Sequence, residues 1–571
     1  VSIDTLFLTP VYLPLFCAAF LMAAKVFFPE RTMLFFQGVA GVVGLLLPLA
    51  ALFLLNPFVM SQQNMETVIG AWETSIGIHY HFDGLSYLLI ALHLAVSIPI
   101  YLYRKKGQRH SDTFAIVFFI QCSSVAATSL TADLFNLFVC LEVMGITSYV
   151  LIASSDKEQS ILASYNYLMF SATAMVFFLI GVFGLYRITG SLSYEAIASV
   201  KNSLVGSELL VAQFSLVLIV ISTLLRSAIV PLSGWLVGAH STAPHPVSAL
   251  LSGVLIKVPL FALVRLLLLV VGSYRIGSVL AFAGGLSAIV GILFALRENH
   301  AKRLLAYSSV SQIGYVVTAY ALAVKEGIGT ERGALLLSLA LLYAFCHAVA
   351  KALLFLTVGT ATDALNTKDL ALARGANQAL KAQGEKIPLT CISFFIAFLS
   401  LAALPPTIGY FGKSALLSVT KGHIANQMLT ITSVLTVVAY LKLCAIFFPS
   451  KEKIKTVAQE KSIGFSLRCA FYIFDFLLIA GFFFYKHLQN WVIQILSPLG
   501  SSQIQVSLFA PYSDFTKSLV TIIIAIVVYR LYHTALAHKL LSFVPNKGRT
   551  FSDLFFGYGL AIAIMAFQLI R

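Results

Sequence analysis

Apolar runs long enough to cross a bilayer, which takes about 20 residues each, recur along the whole chain. No polar stretch between them is long enough to form a soluble domain. In hydrocarbon every backbone N–H and C=O must be paired inside its own segment or by surrounding protein. A chain of this kind therefore folds as a bundle of membrane-crossing helices, an all-α polytopic membrane protein. Composition agrees, with 59% hydrophobic and 11% charged residues in 571. About 16 candidate spans fall near 5–25, 34–55, 82–103, 113–131, 133–153, 161–187, 208–238, 245–271, 276–296, 303–325, 333–361, 387–420, 427–449, 466–486, 516–534 and 551–570. Asp4, with no basic residue ahead of the first run, makes that run read as a span and not as a cleaved signal peptide.

The formal charge of +15 would suggest nucleic acid on a soluble protein. Here the basic residues collect in loops, among them RKKGQRH (104–110), RENHAKR (297–303), TKDLALARGANQALKAQGEK (367–386) and KEKIKTVAQEK (451–461). With both termini outside, Lys and Arg inside outnumber those outside by roughly two to one, which sets the orientation by the positive-inside rule. Residues 56–82 contain neither and are expected to face out. The seven Cys residues include no CxxC pair, which argues against an iron–sulfur cluster, a structural zinc or a disulfide framework. There is no P-loop or dinucleotide glycine fingerprint either. No cofactor is expected in this chain, and any redox centre belongs to a partner.

Residues 223–265, TLLRSAIVPLSGWLVGAHSTAPHPVSALLSGVLIKVPLFALVR, place ionisable groups and a helix break where a membrane protein tolerates them least. The apolar run reaching Arg226 is interrupted by Pro231, a loop carries His240 and His245, and the next run holds Lys257 mid-span. A second overlong span, 387–420, is broken at Pro405 and Pro406 and followed by Lys413. Each broken span is fourth in a block of five, which divides the chain into 1–112 with three spans, blocks 113–271 and 276–449, and a C-terminal part, 466–571. An odd number of spans per block inverts the second copy in the membrane, and paired broken helices point to a transport site.

Glu142, Arg226, Lys257, His347, Lys351 and Lys413 then form a line of intramembrane charges, with His347 and Lys351 four apart on one helix face. An ionisable group at a span centre costs at least about 2.5–3.5 kcal/mol and by default marks an ion or proton path. Helix-packing ion pairs are the plainer alternative for these residues. A carboxylate moving toward or away from a buried base changes whether the base keeps its proton, which couples distant charges to proton uptake and release. Plainer readings suit other residues. Lys442 lies near a span end and snorkels, His93 is a packing residue, and His79 and His81 sit at an outer interface with no third ligand at metal spacing. Residues 191–204 read equally as a short amphipathic helix or a polar loop.

The runs DLFNLFVCLEVMGITSYVLI (133–152), APHPVSALLSGVLIK (243–257), AKRLLAYSSVSQIGY (301–315), HAVAKALLF (347–355) and LPPTIGYFGKSALL (404–417) carry a resemblance. Their order and spacing resemble the antiporter-like membrane subunits shared by respiratory complex I, group 4 membrane-bound hydrogenases and formate hydrogenlyases, and Mrp-type cation/proton antiporters. The resemblance spans roughly residues 80–450. It implies about 14 core helices, two inverted five-helix repeats with broken helices, and extra C-terminal helices, here assigned to docking against a neighbouring subunit. It also implies that Glu142 pairs with position 226 and that Lys257, His347 and Lys413 continue the path. Arg226 departs from the family, which usually has Lys there. A guanidinium keeps its proton where a buried Lys gives it up, so Arg226 is expected to act as a fixed partner of Glu142.

Two functions follow from the resemblance. One is a proton-translocating subunit, with sodium as the alternative ion, driven by a partner oxidoreductase with peripheral iron–sulfur or hydrogenase-type subunits. The other is a component of an Mrp-type antiporter driven by the proton gradient alone; a module coupled to a non-redox enzyme ranks third. All three place the chain among other hydrophobic subunits in the bilayer.

Overall fold

Several membrane-crossing helices begin where a short polar side chain takes up a free backbone donor. Asp83 accepts from Ser86 N at 2.9 Å, Asp133 from Asn136 N at 2.6 Å, and Thr330 Oγ1 from Gly333 N at 3.1 Å. The computed structural model describes residues 3–69, 77–104, 111–155, 157–200, 203–268, 273–328, 330–449, 464–496 and 515–534, with 557, 559–560 and 562–564. Among the described residues, 13 helices are long and apolar enough to cross a membrane. The protein is an all-α, multi-pass membrane protein.

Helices α1 (Thr9–Phe27) and α2 (Glu30–Met60) lead into a hairpin of strands β1 (Met65–Ile69) and β2 (Ile78–Phe82). The hairpin lies in the 56–82 segment, which the sequence presented only as a loop; it is antiparallel, with Glu66 opposite His81. Next come α3 (Gly84–Tyr103), α4 (Ser111–Leu130), α5 (Leu134–Ala153), α6 (Glu158–Thr189), α7 (Tyr194–Val200) and α8 (Gly206–Arg226). Of the two readings of 191–204, α7 favours the short helix.

After the first break follow α9 (Gly234–Thr242), α10 (His245–Leu250), α11 (Val258–Leu268), α12 (Ser273–Arg297), α13 (Ala301–Glu326) and α14 (Glu331–Leu365). The short α15 (Ala376–Ala382) leads to α16 (Leu389–Leu401), the second break, α17 (Ile408–Val419) and α18 (Ile424–Cys444). The chain continues with α19 (Phe465–Phe483), α20 (Tyr485–Leu496) and α21 (Phe515–Tyr532). Most of the expected span at 551–570, the loop 451–461 and all but the first one or two residues of the loops 104–110 and 533–553 lie outside the described residues.

Helix α13 is long enough to span but too polar for an apolar segment, since Ser308, Ser309, Ser311 and Gln312 lie on it, all fully buried. It packs backbone to backbone on α12. A Cβ at Gly314 would stand 2.4 Å from Gly284 O, a contact only small residues allow.

The two breaks are built alike. Ile229 N reaches back to Leu224 O at 3.3 Å and Leu404 N to Leu399 O at 2.9 Å, closing α8 and α16 in the same way. The residue before each, Ala228 and Ala403, lies in the left-handed region (φ 57° and 60°) that usually falls to glycine at a helix end. Pro231 and Pro406 each stand three residues later and prevent the helix from resuming at once.

Candidate functional site

Arg226 closes α8 with its side chain buried at the helix end. Its guanidinium donates to Glu142 Oε1, to Leu141 O at 2.7 Å and to Met175 Sδ at 3.2 Å. Trp235 Nε1, from the start of α9, takes Leu225 O at 2.9 Å. The Glu142–Arg226 pair is lopsided: the Arg side chain is 1% exposed, the Glu side chain 26%, on the outer face of α5.

Lys257 lies at a third interruption. The sequence suggested one continuous span over 245–271, but α10 runs into a π-turn at Leu251–Leu255, and Ile256 and Lys257 form a turn before α11. Pro259 explains it, since it has no N–H to donate and its ring excludes the carbonyl four residues back. The ammonium of Lys257 donates to the freed Ser252 O. Ser252 Oγ meets Ser309 Oγ at 2.8 Å, and Ser309 Oγ donates to Leu305 O at 3.0 Å. Lys351 Nζ donates to the same Leu305 O at 3.0 Å and to Ser308 Oγ, and lies 5.4 Å from the centre of the Tyr440 ring. Lys257 and Lys351, both fully buried, are thus joined through the hydroxyl face of α13.

From Lys351 the line turns along α14. His347 is one helical turn away, fully buried, with no hydrogen-bond partner at either ring nitrogen among the described residues. Tyr343, one turn further, stacks on His347 at 6.4 Å and donates to Gln312 Oε1. Gln312 Nε2 donates to Thr436 Oγ1 at 3.2 Å. The Tyr315 ring lies 5.8 Å from Tyr343 and carries Lys413 Nζ 5.0 Å above its centre. Lys413, fully buried in α17, donates to Leu401 O at 3.3 Å, the end of α16 across the break.

The flanking histidines are not in a loop, as the sequence suggested. His240 belongs to α9 and stacks on Phe355 at 4.5 Å, and His245 is the first residue of α10, with only Ala243 and Pro244 between the helices. His245 Nε2 pairs with Asp363 Oδ1 at 2.9 Å. The sequence reading missed Lys302, counted there among the loop charges. It is 1% exposed and donates to Ala243 O at 2.6 Å and Ser248 Oγ at 3.2 Å, tying α13 to the APHPVS turn. Its place inside the AKRLLAYSSVSQ run was the available signal.

The residues given plainer readings have local partners, and Lys442 is held inside the protein where the sequence suggested snorkelling. His93 meets Ser97 Oγ at 3.0 Å within α3. Lys442 is half-buried and caps α12 through Leu296 O and Glu298 O at 2.9 and 3.0 Å. His81 and His79 both bind Glu66, at 2.7 and 3.4 Å. Among the described residues no group of three His, Cys, Asp or Glu could hold a metal ion.

Residues 131–439 match the family described as "NADH:quinone oxidoreductase/Mrp antiporter, TM". The chain is 32% identical over 354 residues to NADH-quinone oxidoreductase subunit N of Desulforudis audaxviator, covering 60% of this chain and 67% of that protein. It is 29% identical over 462 residues to an Na(+)/H(+) antiporter subunit of Alkalihalophilus pseudofirmus, covering 79% and 88%. Its fold is that of a chain in the Mrp complex from a Dietzia species, with a TM-score of 0.75 at 23% identity over 91% of this chain and 100% of that one. With more than half its length in the family match and its broken helices around a buried charge line, the chain belongs to the antiporter-like membrane subunits of the NADH:quinone oxidoreductase/Mrp antiporter family.

Proposed function

We propose that the chain moves protons along the line Glu142–Arg226–Lys257–Lys351–His347–Lys413, as one hydrophobic subunit of a larger complex, driven by a partner oxidoreductase. The observation that carries this reading is the hydrogen-bonded run from Lys257 through Ser252 and Ser309 to Lys351, which lets two buried bases sense one another. Arg226 keeps its proton, so the Glu142 end sets the field and the lysines and His347 carry the protons. The ion is the proton, with sodium the alternative. The complex lies in a prokaryotic cell membrane with both chain termini outside, on the excess of Lys and Arg in the loops so placed inside.

The likeness to the Na(+)/H(+) antiporter protein, over 79% of this chain, favours a second reading in which a gradient alone drives exchange. Gentle purification of the tagged chain from its native membrane, with mass spectrometry of what accompanies it, separates the two. Co-purifying iron–sulfur or hydrogenase-type subunits support the oxidoreductase. Recovery of small hydrophobic subunits alone withdraws it in favour of the exchanger.

A further inference from the structure

Beyond the family match, which ends at residue 439, α19 carries one acid in the middle of an apolar run, Asp475 in FYIFDFLLIAG. It is 7% exposed, with Oδ2 accepting from Ser393 Oγ on α16 at 2.6 Å and Oδ1 partnerless among the described residues. No Lys, Arg or His pairs with it there. An ionised carboxylate held by one hydroxyl in a buried site is disfavoured. A proton on Oδ1 makes the group neutral.

Its position relative to the second break is informative. Gly481, six residues on, packs against Ile408, the first residue of α17, where a Cβ would come within 2.6 Å. Helix α19 therefore runs across the break, with Asp475 on the α16 side. On α16, Thr390, Ser393, Ala397 and Ser400 share one buried face at spacings of three, four and three residues. At one end Glu385, 5% exposed, accepts from both Thr390 N and Oγ at 2.8 Å. At the other, Ser400 Oγ has no partner among the described residues, and Leu401 O holds Lys413. Ser393 and Leu401 are about 12 Å apart along the helix.

We propose that Asp475 is a proton-binding site, loaded from the Glu385 end of α16 and discharging along its hydroxyl face to Lys413. The step moves one proton: the carboxylic acid of Asp475 and the neutral amine of Lys413 become carboxylate and ammonium. Ser393 and Ser400 stand about 10 Å apart along α16, with Ala397 between them, so water carries the proton from one hydroxyl to the other, each oxygen releasing a proton as it takes the next. Asp475 is then reprotonated from the loop side by way of Glu385 and Thr390. This deepens the proposed function and rests on it for the role of Lys413.

Two measurements test it separately. Infrared difference spectroscopy of the purified full chain reads the proton on Asp475 whether or not the complex translocates. The expected result is a protonated-carboxyl band at neutral pH that Asp475→Asn removes and Ser393→Ala shifts; a spectrum unchanged by both variants overturns the proposal. In membrane vesicles holding the complete complex, a pH-sensitive dye should show Asp475→Asn slowing proton translocation at least tenfold and Asp475→Glu restoring most of it. An Asp475→Asn complex that translocates at the wild-type rate makes the contact with Ser393 a helix clamp and overturns the proposal. A wild-type complex that moves no protons overturns the functional reading and, with it, discharge to Lys413, while the infrared band still decides whether Asp475 binds a proton.

Discussion

Arg226 binds three acceptors on two helices, and its reach sets what a replacement loses. A Lys ammonium is a compact point charge and cannot span Glu142, Leu141 O and Met175 together. Losing one charge-assisted bond is worth about 1.5–3 kcal/mol, so Arg226→Lys should slow ion transport about tenfold or more; transport at the wild-type rate removes the need for a guanidinium. Glu142→Gln strands a buried cation, at a cost of about 3 kcal/mol. The double variant Glu142→Gln/Arg226→Met should therefore melt higher than Glu142→Gln while remaining inactive, and a double variant no more stable than the single one refutes the pairing. At the start of α3, burial pushes the Asp83 carboxyl up, but Arg265 at 2.8 Å, His81 and the Ser86 N–H outweigh it and hold it below the usual range. A depressed carboxyl stabilises the fold above its unfolded value, ~3.9, and loses that contribution as the pH falls below it. The melting temperature of wild type should fall more steeply with acidification in that window than that of Arg265→Met. Parallel curves would show that the pair contributes nothing.

At the scale of elements, what the sequence made legible and what it hid have physical reasons. Pro231 and Pro405-Pro406 announced the two main breaks, because proline in an overlong apolar run has few other meanings. The third, at Lys257, was masked because 245–271 reads as a single span in length, so Pro259 near its middle did not mark a break, and a π-turn leaves no mark in composition. Lys302 was hidden by its neighbours: three of the other six residues in RENHAKR are charged and only half-buried, so its full burial follows only from how α13 packs. The i, i+4 spacing put His347 and Lys351 on one face but could not say that Lys351 reaches across to α13 while His347 does not. The closures at Ala228 and Ala403 give this level its own test. Alanine in the left-handed region costs on the order of 1 kcal/mol, and glycine relieves that while losing entropy on folding. Ala403→Gly should leave the melting temperature unchanged or raise it slightly, whereas Ala403→Val, β-branched at positive φ, should lower it by several degrees. Equal melting of the two variants would mean that the closure at Ala403 does not hold the break.

For the whole molecule, the recurrence of apolar runs was enough to establish a polytopic bundle, since hydrocarbon leaves no other way to pair the backbone. Which faces meet lipid and which meet protein is not written in a single sequence, because both are apolar. One residue breaks that degeneracy. Glu142 lies mid-span on α5 with a quarter of its side chain open at the surface of the isolated chain, among the exposed Val139, Val143 and Ile146. A carboxylate facing lipid at that depth is costly, even with Arg226 behind it, whereas another subunit's polar or cationic group against it removes the cost and extends the charge line beyond this chain. That face is therefore expected to be covered in the complex. A photo-crosslinker placed at Val143 or Ile146 in native membranes should attach this chain to a second membrane subunit of the same complex, identified by mass spectrometry of the adduct. The same probe at Phe183, 67% exposed on α6, provides the comparison. Lipid adducts alone at Val143 and Ile146 would place Glu142 at a lipid boundary and end the charge line within this subunit.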